Sequence, residues 1–184
     1  RIHSFLNHVS GFDSVDNEAR IDQPFSSVPP WQWTRQENPP YPYYCYHLYA
    51  NLKTLNDFRS MRGLSTFTFR PHCGESGAAE HLVACFLTAD LINHGINLKL
   101  NTALQYLYYL GQVGLDVSPL SNNGLFLYFL QNPFPKFFRQ GLHVALSTDD
   151  PLMFHQTNEP LIEEYSIAAK VWDFSPNDMC EIAR

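Results

Sequence analysis

The order of apolar and polar positions predicts alternating strands and helices over residues 64–184. Residues 64–69 alternate β-branched and aromatic side chains with polar ones, as in a strand, and Arg70 and Pro71 end this pattern. Residues 78–91 carry apolar side chains at helical spacing, and that pattern ends near Gly95. The same order recurs further along the chain. A capping box of Thr102 and Gln105 predicts a helix over 102–110, and a strand over 115–118 follows it. Short helices are predicted over 124–130 and 135–140, then a strand over 143–147, and finally a helix that Ser175 caps and Pro176 begins.

Repeated strand–helix units of this kind build parallel sheets. The chain is therefore predicted to be α/β, with either an open doubly wound sheet or a (β/α)8 barrel. The sequence has no glycine-rich phosphate-binding fingerprint that would favour the open sheet.

The first 63 residues have a different organisation. Residues 9–12 predict a short strand that leads into a polar loop, and the proline-rich residues 20–43 predict a long surface loop. Residues 43–59 are rich in aromatic side chains at helical spacing, and Gly63 ends the helix that they predict.

Composition narrows the class of protein. A chain of 184 residues that is 45% hydrophobic and 15% aromatic can bury a core. A net charge of -6 with 12 Lys and Arg argues against a broad nucleic-acid or anionic-membrane surface, although a nucleotide-sized ligand remains compatible. We expect no integral membrane segment, because no apolar run approaches the roughly 20 residues that a spanning helix needs.

The cysteines and the two ends of the chain add two further expectations. The four cysteines form no CxxC pair, which argues against a zinc ribbon or a disulfide framework and fits a reducing compartment. The sequence begins at Arg1 without a methionine and ends inside a helical pattern, so we expect it to be part of a longer protein.

Reactive side chains occur repeatedly where a predicted strand ends. These positions are His72 and Glu75, His94, the segment 118–123, and Asp149 with Asp150. Because the carboxyl ends of parallel strands meet at one edge, we expect a common pocket there. An imidazole from His72 and a carboxylate from Asp149 suit zinc, while Glu75 could act on a water that the metal activates. Asp150 would then be free to accept a hydrogen bond from a substrate.

Structural explanations compete with each of these assignments. A histidine followed three residues later by a glutamate is common by chance, and Thr148-Asp149-Asp150-Pro151 is also typical of a turn or a helix cap. His94 could be a hydrogen-bonded core histidine. The remaining histidines are expected at the surface or in packing roles, namely His3, His8, His47, His81, His143 and His155.

Six segments of the chain carry a family resemblance. They are residues 69–75 (FRPHCGE), 93–98 (NHGINL), 104–107 (LQYL), 117–123 (VSPLSNN), 146–152 (LSTDDPL) and 163–168 (EEYSIA). In their order and spacing these segments resemble the AMP deaminase family. The resemblance extends from residues 11–16 (GFDSVD) to 179–184 (MCEIAR) and is stronger than the likeness to adenosine deaminases of the same superfamily. It implies a (β/α)8 barrel, of which residues 1–184 would be the C-terminal half without the N-terminal strands.

The resemblance also implies a reaction and a set of roles. The family uses one catalytic zinc ion to convert AMP and water to IMP and ammonia. By resemblance, His72 and Asp149 are zinc ligands, Glu75 contacts the purine and passes a proton to its ring nitrogen, and His94 accepts a proton from the attacking water. The resemblance assigns substrate contacts to Asp150, Pro151, Leu152 and Met153, although Met153 stands where many members have Gln.

Some parts of the family's site are missing from this sequence. The family supplies two further zinc ligands from an HxH pair on the first barrel strand, and this sequence contains no HxH. Since a catalytic zinc has at least three protein ligands, we expect the chain alone to bind zinc weakly and to lack turnover. The resemblance further implies a homotetramer in the cytosol. Two alternatives stay open, namely deamination of adenosine or another aminopurine, and a non-catalytic relative that binds nucleotide.

Overall fold

The computed structural model describes residues 2–22 and 28–184, so part of the proline-rich segment 20–43 lies outside the described residues. The strands are β1 (Gly11–Phe12), β2 (Thr68–Phe69), β3 (His72–Cys73), β4 (Leu91–His94), β5 (Gly114–Val117) and β6 (Val144–Leu146). The helices are α1 (Ile2–Leu6), α2 (Tyr41–Ser60), α3 (Glu80–Thr88), α4 (Thr102–Gly111), α5 (Pro119–Leu125), α6 (Phe134–Arg139), α7 (Pro151–Phe154), α8 (Pro160–Trp172) and α9 (Pro176–Ala183). Short 3-10 turns occupy Pro30–Gln32, Ile96–Leu100 and Phe129–Gln131.

The strands are parallel and follow one another in sequence order. β1 pairs with β2, and β3, β4, β5 and β6 form one sheet in that order. Only two residues separate β2 from β3, and the backbone amides of Arg70 and His72 each donate to a carbonyl of the β1 segment, on Phe12 and Ser14, at 2.8 Å. The predicted α/β class with parallel sheets is confirmed. The sequential order is that of a barrel, since a doubly wound sheet reverses its strand order part of the way across.

The core lies between the strands and the helices that connect them. Its fully buried side chains come from both sets of elements, as a layered α/β packing requires; they include Leu82, Ile92, Leu98, Tyr108, Leu115, Phe134 and Phe137. Because the helices pack on the faces of the sheet, the carboxyl ends of the strands and their polar residues lie at one edge of it.

Several predicted boundaries were wrong for local reasons. α5 begins at Pro119, not at residue 124, because proline is well tolerated in the first turn of a helix. α3 ends at Thr88, and Leu91, the last residue of the predicted helix, is the first residue of strand β4. α2 begins at Tyr41, two residues before the prediction, with Pro42 in its first turn. Helix α8 has no counterpart in the periodicity prediction.

The ends of two helices test the predicted caps. Asn101, not Thr102, caps α4, since the Asn101 side chain accepts a hydrogen bond from the Leu104 backbone amide at 3.1 Å. The predicted cap of α9 is confirmed, because Ser175 and Asp178 form a reciprocal capping box. Among the described residues, no helix combines the length and the apolar character that crossing a membrane demands.

Candidate active site

Three side chains that could hold a metal ion meet at the carboxyl edge of the sheet. His72 lies in β3, His94 is the last residue of β4, and Asp149 follows β6 by three residues. One potential ligand atom from each lies within 4.8 Å of the others, and His94 Nε2 is 4.0 Å from Asp149 Oδ2. The three residues line a pocket of about 220 Å³ together with Asp13, Asn93, Ser118, Ser147 and Thr148.

The chemistry of this group fits a divalent cation. His94 is 1% exposed, and its Nε2 atom has no hydrogen-bond partner among the residues that the structure describes. A buried polar atom without a partner is costly, and a metal ion or a polar ligand would offset that cost. Two imidazoles and a carboxylate are the donor types that zinc accepts.

Two of these side chains stand on unusual backbone. His94 and Asp149 have φ angles of 71° and 51°, in the left-handed region that residues other than glycine seldom adopt. Such conformations cost on the order of 1–3 kcal/mol each and cluster at functional sites. The strain turns the His94 and Asp149 side chains away from the directions that an extended strand would give them.

Glu75 lies beside His94 and is poised to hold a proton near neutral pH. Its Oε1 atom is 3.4 Å from His94 Nδ1 and accepts a hydrogen bond from Asn122 Nδ2 at 2.8 Å. Burial, reinforced by the negative charge of Asp149, raises the pKa of Glu75 to about 7. Glu75 therefore exists in both protonation states at neutral pH, which suits a group that gives and takes a proton.

His94 is held in the neutral state. Burial, with a smaller contribution from the nearby His72, lowers the pKa of His94 to about 4. A neutral imidazole at pH 7 can accept a proton, whereas an imidazolium cannot.

Asp13 orients His72, and sequence reasoning missed it. The Asp13 Oδ1 atom lies 3.0 Å from His72 Nδ1, which leaves Nε2 of the ring available for another partner. Burial lowers the pKa of His72, but the hydrogen bond and the charge of Asp13 outweigh burial, so the pKa is raised overall. Asp13 directly follows β1, so it lies at the carboxyl end of a strand like the other candidates, and this position was the signal that could have identified it.

Two residues of α5 contact the candidate site. The sequence predicted no separate role for them beyond the motif at residues 117–123. Ser121 Oγ donates to Asp149 Oδ2 at 2.5 Å. The Asn122 amide contacts both Glu75 Oε1, at 2.8 Å, and His94 Nδ1, at 3.1 Å. Their helix was predicted to begin later in the chain, so their common direction could not be anticipated.

The stretch assigned to substrate contact lies at the rim. Asp150 occupies the N-cap position of α7 but makes no side-chain cap hydrogen bond, so the helix-cap explanation does not account for its carboxylate. Leu152 is 103% exposed and Met153 is 69% exposed. The structure thus brings His72, Glu75, His94 and Asp149 together and leaves residues 150–153 facing solvent beside them.

Comparisons with known proteins agree on one family. The family model described as AMP deaminase matches residues 1–184. AMP deaminase 3 of Homo sapiens is 58% identical over 186 residues, which cover 100% of this chain and 24% of the relative. AMP deaminase of Saccharomyces cerevisiae is 54% identical, with 100% and 23% covered. The chain spans about a quarter of the length of these relatives.

Solved structures of two deaminases and an amidohydrolase share the fold. An adenine deaminase from Arthrobacter aurescens matches with a TM-score of 0.59 and 25% identity, covering 71% of this chain and 39% of that one. The N6-mAMP deaminase of Arabidopsis matches with a TM-score of 0.52 and 17% identity, covering 64% and 34%. A Burkholderia ambifaria amidohydrolase with bound Zn matches with a TM-score of 0.52 and 23% identity, covering 61% and 32%.

Proposed function

Because this chain belongs to the AMP deaminase family, we propose that it supplies part of the active site of a zinc-dependent enzyme that hydrolyses AMP to IMP and ammonia. The observation that carries the proposal is the convergence of His72, His94 and Asp149 around one point, with Glu75 beside them. We propose that residues 1–184 are the C-terminal portion of one catalytic domain. The remaining zinc ligands would come from outside these residues.

His72 and Asp149 would hold the zinc ion. When bound, zinc acts as a Lewis acid that makes water a competent nucleophile at neutral pH. Asp13 would keep Nδ1 of His72 protonated and Nε2 free to bind the metal. Ser121 would hold the Asp149 carboxylate in place.

Glu75 and His94 would manage the protons. Neutral His94 would accept a proton from the water as the water oxygen bonds to C6 of the purine, and protonated Glu75 would donate to the adjacent ring nitrogen. The amino group would then take the proton held by His94 and leave as ammonia when the C6–N bond breaks. The C6 hydroxyl would return its remaining proton to Glu75, which leaves the carbonyl of IMP and restores both side chains. Residues 150–153 would contact the purine from the rim of the site.

A chimera tests the proposal with the whole catalytic domain present. We define the yeast chimera as the Saccharomyces cerevisiae AMP deaminase in which residues 1–184 replace the matching segment. Ammonia release is measured from AMP and from adenosine, with zinc content measured in parallel. The expected result is turnover of AMP with a strong preference over adenosine.

The other outcomes separate the alternatives. Preference for adenosine favours a nucleoside deaminase, because the 5'-phosphate then contributes nothing to selection. A folded chimera that binds zinc and AMP without releasing ammonia favours a non-catalytic nucleotide-binding relative. Either result contradicts the proposal.

We further propose a homotetramer in the cytosol for the complete protein. Both expectations come from the family resemblance. Light scattering during size-exclusion chromatography of the full-length product, together with cell fractionation, measures them directly.

A further inference from the structure

A buried pair of side chains, His155 and Glu164, lies behind the rim of the candidate site. His155 follows α7, and its Nε2 atom is 2.9 Å from Glu164 Oε1 in α8. Both side chains are 0% exposed. The second carboxylate oxygen, Oε2, accepts a hydrogen bond from the backbone amide of Leu120 in α5 at 3.1 Å. Glu164 therefore joins α8 to two other helices through its two oxygens.

The two helices that Glu164 holds are the ones that present site residues. α5 carries Ser121, which donates to Asp149, and Asn122, which contacts Glu75 and His94. α7 begins two residues after Asp149 and contains most of the stretch assigned to the substrate. Glu164 thus fixes the spacing between α5, which orients the reacting side chains, and α7, which would contact the purine.

The two helices need an anchor because they are short. α5 has seven residues and α7 has four, and helices of this length are not stable on their own. Their positions are set by tertiary contacts. A carboxylate buried away from water is itself expensive unless both oxygens are satisfied, and here both are.

We propose that Glu164 is a positioning residue for the deamination reaction, acting on the catalytic side chains through Leu120 and on the substrate stretch through His155. This inference rests on the proposed function. It separates two contacts that have different kinetic consequences. The contact with Leu120 positions the side chains that act in the transition state, so its loss lowers kcat. The contact with His155 positions α7, which would bind the substrate in the ground state, so its loss raises KM.

The neighbouring glutamate provides a matched control. Glu163 lies on the same helix. Its carboxylate accepts hydrogen bonds from the backbone amides of Gln156 and Thr157, in the loop that contains His155. It is partly exposed, and among the described residues its hydrogen bonds go to this loop and not to α5. Glu163→Ala therefore removes a carboxylate and loop contacts while leaving both helices anchored.

The test compares four substitutions in the yeast chimera by steady-state kinetics with AMP, thermal unfolding and zinc content. His155→Ala is expected to raise KM about tenfold with little change in kcat, because only α7 then loses its link to Glu164. Glu164→Ala is expected to lower kcat/KM about 100-fold through both parameters, because α5 is released as well. Glu164→Gln, which retains an acceptor for Leu120, is expected to restore most of kcat, and Glu163→Ala should resemble the unmodified chimera.

Two results would overturn the inference. One is equal kinetic behaviour of Glu164→Ala and Glu163→Ala. The other is a loss of activity in His155→Ala and Glu164→Gln that follows lost thermal stability without separating KM from kcat; these two variants keep the test decisive if Glu164→Ala fails to fold. An unmodified chimera that does not deaminate AMP contradicts the proposed function itself, and this inference with it.

Discussion

Two residues of the candidate site depart from ordinary local structure. His94 combines a left-handed φ angle, nearly complete burial and a ring nitrogen without a partner among the described residues. Asp149 shares the left-handed conformation. Each departure costs free energy in the folded chain. Their coincidence within 4.0 Å argues that an interaction with an ion or a ligand offsets the cost.

Replacing Asp149 tests the metal assignment, and Asp150 is the matched control. Asp149→Ala in the yeast chimera should abolish zinc binding and activity, because it removes one of the ligands. Asp150→Ala should retain zinc and raise KM for AMP, because its exposed carboxylate is assigned to the purine. Metal analysis after gel filtration measures the zinc content of both. Full zinc occupancy in the Asp149 variant would refute its role as a ligand.

Replacing Glu75 tests its role in proton transfer. Glu75→Gln keeps the shape of the side chain and can still contact Asn122, but it cannot donate an acidic proton. We expect zinc content to be unchanged and kcat to fall by about 100-fold to 10,000-fold, the range typical of general acid–base groups. Loss of zinc together with activity would identify Glu75 as a ligand instead.

The raised pKa of Glu75 also predicts how stability depends on pH. The folded state holds this proton more tightly than the unfolded state, in which the pKa is close to 4.5. The stabilisation is fully present below pH 4.5 and is lost as pH rises through about 7. In the yeast chimera with a chelator present, the thermal midpoint should fall more between pH 5 and pH 8 for the unmodified protein than for Glu75→Gln. Equal falls would show that the carboxyl pKa is not raised.

Sequence position predicted some site residues and failed for others, for a physical reason. His72, His94 and Asp149 could be named because each lies at or just after the carboxyl end of a strand, and parallel topology brings such positions together. Asn122 lies within a helix, and its contacts depend on where that helix begins and how it is rotated. The position of Glu164 depends on the packing of α8 against α5, and Leu120 of α5 lies 44 residues before Glu164 in the sequence. Neither the rotation of a helix nor such packing is encoded by spacing alone.

At the scale of elements, the short helices depend on their ends and on their neighbours. The prediction placed the cap of α4 on Thr102, whereas the side chain of Asn101 makes the hydrogen bond to the helix. Both residue types favour the N-cap, so sequence preference could not separate two adjacent candidates. Backbone conformation decides between them, because the N-cap residue must be extended, as Asn101 is with φ -135° and ψ 99°.

The cap assignment can be tested by local exchange. Asn101→Ala should destabilise the first turn of α4 by about 1 kcal/mol, because the Leu104 amide loses its acceptor. Exchange of the first-turn amides in the yeast chimera should then be roughly fivefold faster, as measured by hydrogen–deuterium exchange. Thr102→Ala should leave this exchange nearly unchanged. Faster exchange in Thr102→Ala than in Asn101→Ala would identify Thr102 as the cap.

At the scale of the molecule, the described strands form parallel sheets whose outermost strands, β1 and β6, each have an unpaired edge. Among the described residues, β1 pairs only on the side of β2, and β6 pairs only on the side of β5. Apolar side chains lie next to the first of these edges, where Phe12 is 41% exposed and Leu55 on α2 is also 41% exposed. Parallel sheets are stable when both faces and both edges are covered, which the described residues do not achieve alone.

The open edges predict that the 184-residue chain, expressed by itself, associates or aggregates. Unpaired strand edges offer amides and carbonyls to any neighbouring chain, and adjacent apolar surface strengthens such contacts. Co-expression with the remaining part of the Saccharomyces cerevisiae relative, as a separate polypeptide, should shift the chain into a defined soluble complex, because that part would pair with both edges. Size-exclusion chromatography with light scattering measures the shift, and co-expression with an unrelated barrel protein is the control. A chain that is monomeric and fully folded without any addition would contradict the half-barrel interpretation, since its edges would then need no cover.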